Sequence, residues 1–129
     1  MLFRSFHRLA GWGEAEVLRL LGDAAIVRHR GKIEAVIHNA ARAVELQREA
    51  GSLAAFIWRY EEADAPMTVR PSSPNSVALA KALKQRGWKF VGPTTAYAFM
   101  QSMGLVNDHA PDCATRARVA QARAALVRP

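Results

Sequence analysis

Hydrophobic side chains recur at intervals of three and four residues along most of this chain, and that spacing constrains the fold more than any other feature. The longest such stripe runs from Lys32 to Ala50 and consists of Ile33, Val36, Ile37, Ala40, Ala41 and Val44. Shorter stretches with the same period occupy residues 14–21, 53–60, 76–86 and 93–103. The pattern therefore predicts an all-α fold.

Glycine and proline mark where the predicted helices begin and end. Gly22, Gly51 and Gly104 each follow an apolar helical stretch, and Pro93 stands at the first turn of another. The proline-rich segment 65–75 predicts a loop, because proline removes a backbone donor and disfavours helix before it. A length of 129 residues fits a single domain, predicted at 1–113 and followed by a basic Ala/Arg-rich tail at 114–129.

The charge balance indicates a polyanionic partner. Eighteen basic residues against eleven acidic ones give a net charge of +7, which favours binding to phosphates by counterion release. Charge by itself does not choose between DNA, RNA and an anionic membrane surface. The single cysteine rules out an intrachain disulfide, and no membrane span or secretion signal is recognisable. A cytoplasmic protein without a membrane partner is expected.

Residues 76–103 describe a basic helix, a turn with glycine at each end and an apolar helix, which is the order of a helix-hairpin-helix. Gly92 would let a phosphate backbone approach closely, and the N–H groups from Thr94 onward would donate to its oxygens. Nearby charge comes from Lys81, Lys84, Arg86 and Lys89. Such contacts grip a nucleic acid without reading its sequence. Similar glycine corners are common in helical proteins that bind no DNA, so the pattern alone leaves that alternative open.

A second basic turn precedes the longest predicted helix. Arg28, Arg30 and Lys32 lie around His29 and Gly31, where they form either a second phosphate clamp or a solvated basic turn. Trp88, within the hairpin turn, has two corresponding interpretations: a wedge against DNA or an anchor onto the core. The residues alone do not decide either question.

Three segments resemble the DNA-3-methyladenine glycosylase I family. They are KALKQRGWKFVGPTTAYAFMQ at 81–101, GLVNDH at 104–109 and IVRHRGKI at 26–33. The resemblance covers roughly residues 12–113. It implies an all-helical fold of the helix-hairpin-helix glycosylase superfamily. It also implies a base-excision repair enzyme that flips 3-methyladenine out of double-stranded DNA with alkylated bases and hydrolyses its N-glycosidic bond.

His109 and Cys113 are four residues apart, a spacing that would place two metal ligands on one face of a helical turn. The pair alone is weak evidence for a metal. The family resemblance implies that it is the carboxy-terminal half of a structural zinc site, whose other cysteine and histidine come from the amino-terminal part. This sequence has no second cysteine, and its other histidines, His7, His29 and His38, match no family motif. Half of the zinc ligand set is therefore expected.

The start of the chain resembles an internal family segment, at residues 2–7. The resemblance therefore implies that the amino-terminal part, with its aromatic base pocket and a glutamate, is absent here. Excision by this truncated chain is not expected, and no catalytic residue is assigned. No obligate protein partner is evident, although the absent part would be required for activity.

Asp108 is the acid that closely follows the hairpin, and its role has two interpretations. It either serves as a catalytic carboxylate or orients the turn that presents His109. Two alternatives to a glycosylase also stay open at this point. One is a non-enzymatic helix-hairpin-helix remnant that binds the DNA backbone, and the other is a helical domain whose charge serves solubility.

Overall fold

The computed structural model describes residues 5–63 and 70–129, and all regular structure within those ranges is helical. The helices are α1 (Phe6–Leu9), α2 (Glu14–Leu21), α3 (Arg30–Ala50), α4 (Leu53–Ile57) with a following 3-10 turn (Trp58–Tyr60), α5 (Pro74–Gln85), α6 (Pro93–Met103) and α7 (Ala114–Ala125). The predicted all-α class is confirmed for these ranges. Of the loop predicted at 65–75, residues 65–69 lie outside the described residues, residues 70–73 are irregular, and residues 74–75 already belong to α5.

The chain divides into two compact units. The first comprises Met1–Leu53 and Lys84–Phe90, and the second comprises Ala54–Leu83 and Val91–Pro129. The boundary predicted at residue 113 stays a prediction. In the described part of the chain, no helix is long and apolar enough to cross a membrane.

In the first unit, α1 and α2 pack against α3. Helix α3 begins at Arg30, two residues before the predicted start, because the ring of His29 caps it: Nδ1 accepts a hydrogen bond from the Lys32 N–H at 3.2 Å. Gly51 ends the helix as predicted, at a φ of +80° that favours glycine. Gly22 ends α2 as predicted, but in a right-handed conformation.

The buried face of α3 differs in part from the predicted stripe. Its buried residues are Ile33, Ala35, Ala40, Ala43 and Leu46. Val36, which belongs to the predicted stripe, is 55% exposed. The helical period shows which residues share a face, whereas the neighbouring elements decide which part of that face is covered.

In the second unit, α5 begins at Pro74, and two buried serines, Ser73 just before the helix and Ser76 in its first turn, hydrogen-bond to each other there. The Ser76 N–H donates to Ser73 Oγ at 3.1 Å, and the Ser73 N–H donates to Ser76 Oγ at 2.8 Å. Helix α6 begins at Pro93 and ends at Gly104 with a φ of +76°, both as predicted. Its buried residues are Ala96, Tyr97 and Met100. Phe99 belongs to the same apolar helix but is 39% exposed.

Helix α7 lies in the basic tail and contains no buried residue. Charge holds it in the second unit. Arg123 and Arg128 donate to Oε1 of Glu61 at 3.0 and 2.6 Å, and Arg123 also donates to the Glu62 carbonyl. The guanidinium of Arg128 lies 5.6 Å from the centre of the Trp58 ring. The tail is therefore attached by ion pairs rather than by an apolar face.

Candidate nucleic-acid interface

The 86–90 turn, which follows α5, is fixed to α3 by side-chain hydrogen bonds within the first unit. Asn39 donates from Nδ2 to the Lys89 carbonyl at 2.8 Å and accepts from the Lys89 N–H at 2.9 Å. His38 Nε2 lies 2.8 Å from the Gly87 carbonyl. A carbonyl only accepts, so Nε2 carries the proton. These three bonds hold the main chain of the turn in one geometry.

Arg86 adds an ion pair to the same attachment. Its guanidinium donates to both carboxylate oxygens of Glu49, at 2.5 and 3.2 Å. Gly87 has a φ of +80°, which suits glycine, and a Cβ there would lie 3.6 Å from Arg42 Cδ. Trp88 is half-buried, which favours the anchoring interpretation over a wedge.

Phe90 is the unusual residue of the turn. Its φ of +55° makes it the one non-glycine residue with positive φ in the described ranges, and its side chain is 62% exposed. The ring meets His29 edge-on, with centroids 6.5 Å apart. Its Cζ lies 3.9 Å from the place of a Cβ on Gly31. The 86–90 turn and the basic turn before α3 therefore meet at Phe90.

The predicted cations of this unit fall into two groups. Arg30 pairs with Glu14 at 2.9 Å and with Glu34 at 3.2 Å, and Arg86 pairs with Glu49. The other predicted cations are exposed and form no ion pair with any described residue: Arg28, Lys32, Lys84 and Lys89, called here the unpaired cations. Only a cation without an acidic partner offers its full charge to a phosphate.

Gly92 and Thr94 lie in the second unit, at the start of α6. Gly92 is extended, and a Cβ added there would meet nothing within 4 Å. Thr94 is exposed, and the first turn of α6 contains no acidic residue. The geometry is compatible with the predicted contact between a phosphate and these N–H groups.

Asp108 is bound to α6 by two side chains. Tyr97 Oη and Gln101 Nε2 both donate to its Oδ2, at 2.8 and 2.7 Å, and Arg70 in turn donates to Tyr97 Oη at 3.0 Å. Burial opposes ionisation of Asp108, but these hydrogen bonds outweigh it and lower the pKa of the carboxyl. The arrangement favours the orienting role over a catalytic one.

His109 and Cys113 do not share a helical turn. Residues 105–113 are irregular, since Pro111 disfavours helix before it, and Cys113 instead forms the N-cap of α7. The N–H and hydroxyl of Thr115 lower the pKa of the Cys113 thiol. No group of three or more His, Cys, Asp or Glu side chains with metal-binding geometry occurs in the ranges 5–63 and 70–129. The spacing argument for one helical face is therefore wrong.

Sequence reasoning missed His38, Asn39 and the backbone of Phe90. An asparagine in the middle of an apolar helix is a signal that a side chain has a polar partner, but nothing in the sequence identifies that partner as a turn fifty residues away. A positive φ at a phenylalanine has no sequence signal.

Comparison with known proteins identifies the family. The family model described as methyladenine glycosylase matches residues 2–117, and the chain belongs to this family. The family assignment made from the three sequence segments is thereby confirmed.

Individual relatives agree with this. The chain is 42% identical over 113 residues to DNA-3-methyladenine glycosylase 1 of Escherichia coli (strain K12), covering 82% of this chain and 60% of that protein. It is 42% identical over 98 residues to DNA-3-methyladenine glycosylase of Haemophilus influenzae (strain ATCC 51907 / DSM 11121 / KW20 / Rd), covering 70% of this chain and 53% of the relative. This chain thus spans between half and two thirds of their length.

Solved structures show the same likeness. A crystal structure of 3-methyladenine DNA glycosylase I superposes with a TM-score of 0.73 at 45% identity, covering 84% of this chain and 64% of the other. The 3-methyladenine DNA glycosylase I of Staphylococcus aureus superposes with a TM-score of 0.81 at 29% identity, covering 86% and 63%. The helical architecture described above is therefore the fold of this part of the family.

Proposed function

We propose that this chain is the DNA-binding part of a DNA-3-methyladenine glycosylase, a base-excision repair enzyme. Family membership and the 42% identity to the Escherichia coli enzyme support this function. The chain spans 60% of that enzyme, so we assign DNA binding to this chain and excision to the complete family fold. The partner is double-stranded DNA that contains alkylated bases.

The observation that carries the binding proposal is the separation of paired from unpaired cations. Arg28, Lys32, Lys84 and Lys89 are exposed without an acidic partner among the described residues, so they neutralise phosphates at no cost in broken ion pairs. Arg30 and Arg86 stabilise the two turns through their glutamates and contribute less to DNA binding. Gly92 and Thr94 add backbone donors at the start of α6.

The order of α5, the turn and α6 supports a helix-hairpin-helix at about residues 76–103. Its contacts go to phosphates, through lysines and backbone N–H groups, so its affinity is independent of DNA sequence. That property suits an enzyme that searches a genome for rare damaged bases.

Excision is a hydrolysis: water attacks C1′ of the deoxyribose while the C1′–N bond breaks. The bonding electron pair leaves with the base and neutralises the positive charge of 3-methyladenine, and the attacking water loses a proton. A carboxylate is the natural group to stabilise the cationic sugar and to take that proton. Asp108 is committed to Tyr97 and Gln101, so we propose that this chain alone binds DNA without excising the base. A non-enzymatic DNA-binding remnant is the second candidate.

A structural zinc would use His109 and Cys113 as two of its donors. A closed tetrahedral site requires two more. The sequence contains one cysteine, and the ranges 5–63 and 70–129 contain no group of three or more His, Cys, Asp or Glu side chains that could hold a metal. The residues of this chain therefore do not complete the site, and no step of the proposed function depends on the metal.

Binding to a labelled duplex at several salt concentrations tests the proposal. With the unpaired cations as four phosphate contacts, the logarithm of the affinity should fall with the logarithm of the salt concentration with a slope of about −4. Release of free 3-methyladenine from an alkylated duplex is the separate test of catalysis. If the affinity does not depend on salt, the remaining alternative is a helical domain whose charge serves solubility. If binding depends steeply on salt and the base is also released, the chain excises as well as binds, and the assignment of binding alone is overturned.

A further inference from the structure

We infer that Phe90 is a DNA-contacting residue that packs on a deoxyribose of the strand whose phosphate Lys89 binds. The inference rests on the proposed function and deepens it, since it adds an apolar contact to a surface otherwise described by charge. All residues that carry it lie in the first unit.

The first observation is that both the backbone and the solvent disfavour phenylalanine at this position. A positive φ costs an L-residue roughly 1 kcal/mol or more and costs glycine almost nothing. Phe90 is also 62% exposed, so much of its apolar area is not buried in the free chain. A large aromatic side chain held in this way has a use outside the fold.

The second observation is that the turn presents the side chain rigidly. Asn39 holds both the N–H and the carbonyl of Lys89, the residue before Phe90, and the ring edge rests against His29. Little conformational freedom is therefore lost when a partner covers the exposed face of the ring.

The third observation is the charge around the ring, which favours a polyanion, and the proposed function makes that polyanion DNA. Lys89 adjoins Phe90 in sequence, while Arg28 and Lys32 each adjoin a residue that the ring approaches. Because adjacent Cα atoms are about 3.8 Å apart, a phosphate bound by Lys89 would lie near Phe90, and the apolar group next to a phosphate is its deoxyribose.

The test compares Phe90→Gly and Phe90→Asn, two residues that accept a positive φ without an apolar side chain. Both variants should bind a duplex about five- to tenfold more weakly at every salt concentration, with the salt slope unchanged, because an apolar contact releases no counterions. Their melting temperatures should not fall. Met103→Ala is the matched control: Met103 is 56% exposed on α6, in a stretch without lysine or arginine, and its loss should leave the affinity unchanged.

Other outcomes overturn the inference. Unchanged affinity in both variants would show that the ring contacts no DNA, and a loss that follows the melting temperature would show that the ring only supports the His29 cap. A greater loss on single-stranded than on duplex DNA would replace the sugar with a stacked base. Absence of duplex binding by the unaltered chain is a different result, since it removes the proposed function itself.

Discussion

The two units differ in how their basic residues are paired and exposed. In the first unit, Arg28, Lys32, Lys84 and Lys89 are exposed and form no ion pair with a described residue. In the second unit, three arginines are bound to two glutamates: Arg123 and Arg128 contact Glu61, and Arg70 contacts Glu62 at 2.6 Å.

The difference shows that a net charge does not locate a binding surface. The Arg123 side chain is 11% exposed and the Glu61 side chain 20%, so charge there serves to attach α7. Arginine therefore stabilises the fold in both units, through Arg30 and Arg86 in the first and through Arg123 and Arg128 in the second, whereas the four unpaired cations of the first unit stay available for a polyanion.

Among the variants considered, removal of two unpaired cations should cause the largest change in DNA affinity and in its salt dependence. Lys32→Ala with Lys89→Ala removes two phosphate contacts, so the salt slope should fall from about −4 to about −2 and the affinity by roughly 50-fold at 0.1 M salt. Fluorescence anisotropy with a labelled duplex measures both. Arg118→Ala, an exposed arginine of α7, is the control and should change little. An unchanged slope in the double variant would place the DNA elsewhere.

Removal of the ion pairs that join α7 to Glu61 should lower the stability of the chain rather than its affinity for DNA. Glu61→Gln leaves Arg123 and Arg128 without their carboxylate, and we expect a loss of about 1–2 kcal/mol in the free energy of unfolding, because the pair is partly buried. Urea denaturation measures the loss. The same change at Glu14, whose side chain is 62% exposed in its pair with Arg30, should cost far less. Equal losses of stability at Glu61 and Glu14 would contradict a special contribution from the Glu61 ion pairs.

Low pH should abolish the stabilisation that the Glu61 ion pairs provide. The hydrogen bond from Arg128, followed by that from Arg123, lowers the pKa of Glu61 below its usual 4.5. The stabilisation is therefore complete above pH 4.5 and disappears as the pH falls through the lowered pKa of the folded state. The difference in stability between the unaltered chain and Glu61→Gln should vanish in that range. A difference that persists in strong acid would show that ionisation of Glu61 is not its source.

The Asn39→Ala variant tests how much the geometry of the 86–90 turn, as distinct from its charge, contributes to DNA affinity. We expect about a three- to tenfold loss of DNA affinity with an unchanged salt slope, because every cation stays while the main chain of Lys89 loses two hydrogen bonds. Asn75→Ala is the matched control, since Asn75 donates to the Glu61 carbonyl in the second unit. Equal affinity losses in the two variants would indicate a general loss of structure.

The smallest change is expected at a cation that is already paired. Arg30→Ala should alter the salt slope by less than half of the change that Lys32→Ala produces, because Glu14 and Glu34 already neutralise the guanidinium. Titration of both single variants at the same salt concentrations makes the comparison. Equal slopes would show that ion pairing within the unit does not exclude an arginine from the DNA.

Much of the fold followed from local sequence. The long period at 32–50 predicted α3, and Pro93 and Gly104 marked both ends of α6, because these signals act within a single helix. Val36 was misplaced for the opposite reason: exposure depends on what packs against a helix. The spacing of His109 and Cys113 suggested a shared helical face, although Pro111 breaks the helix between them.

The sequence alone determined the helical class, the helix ends and the family, since each depends on residue types in a fixed order along the chain. Only the tertiary structure decided which cations are free, that Asn39 fixes the main chain of Lys89, and that Phe90 is exposed at a positive φ. The physical reason is that ion pairs, hydrogen bonds and burial join residues far apart in the chain. The start of a helix depends on a few neighbouring residues in the sequence, whereas the availability of a charge depends on which residues the fold places beside it.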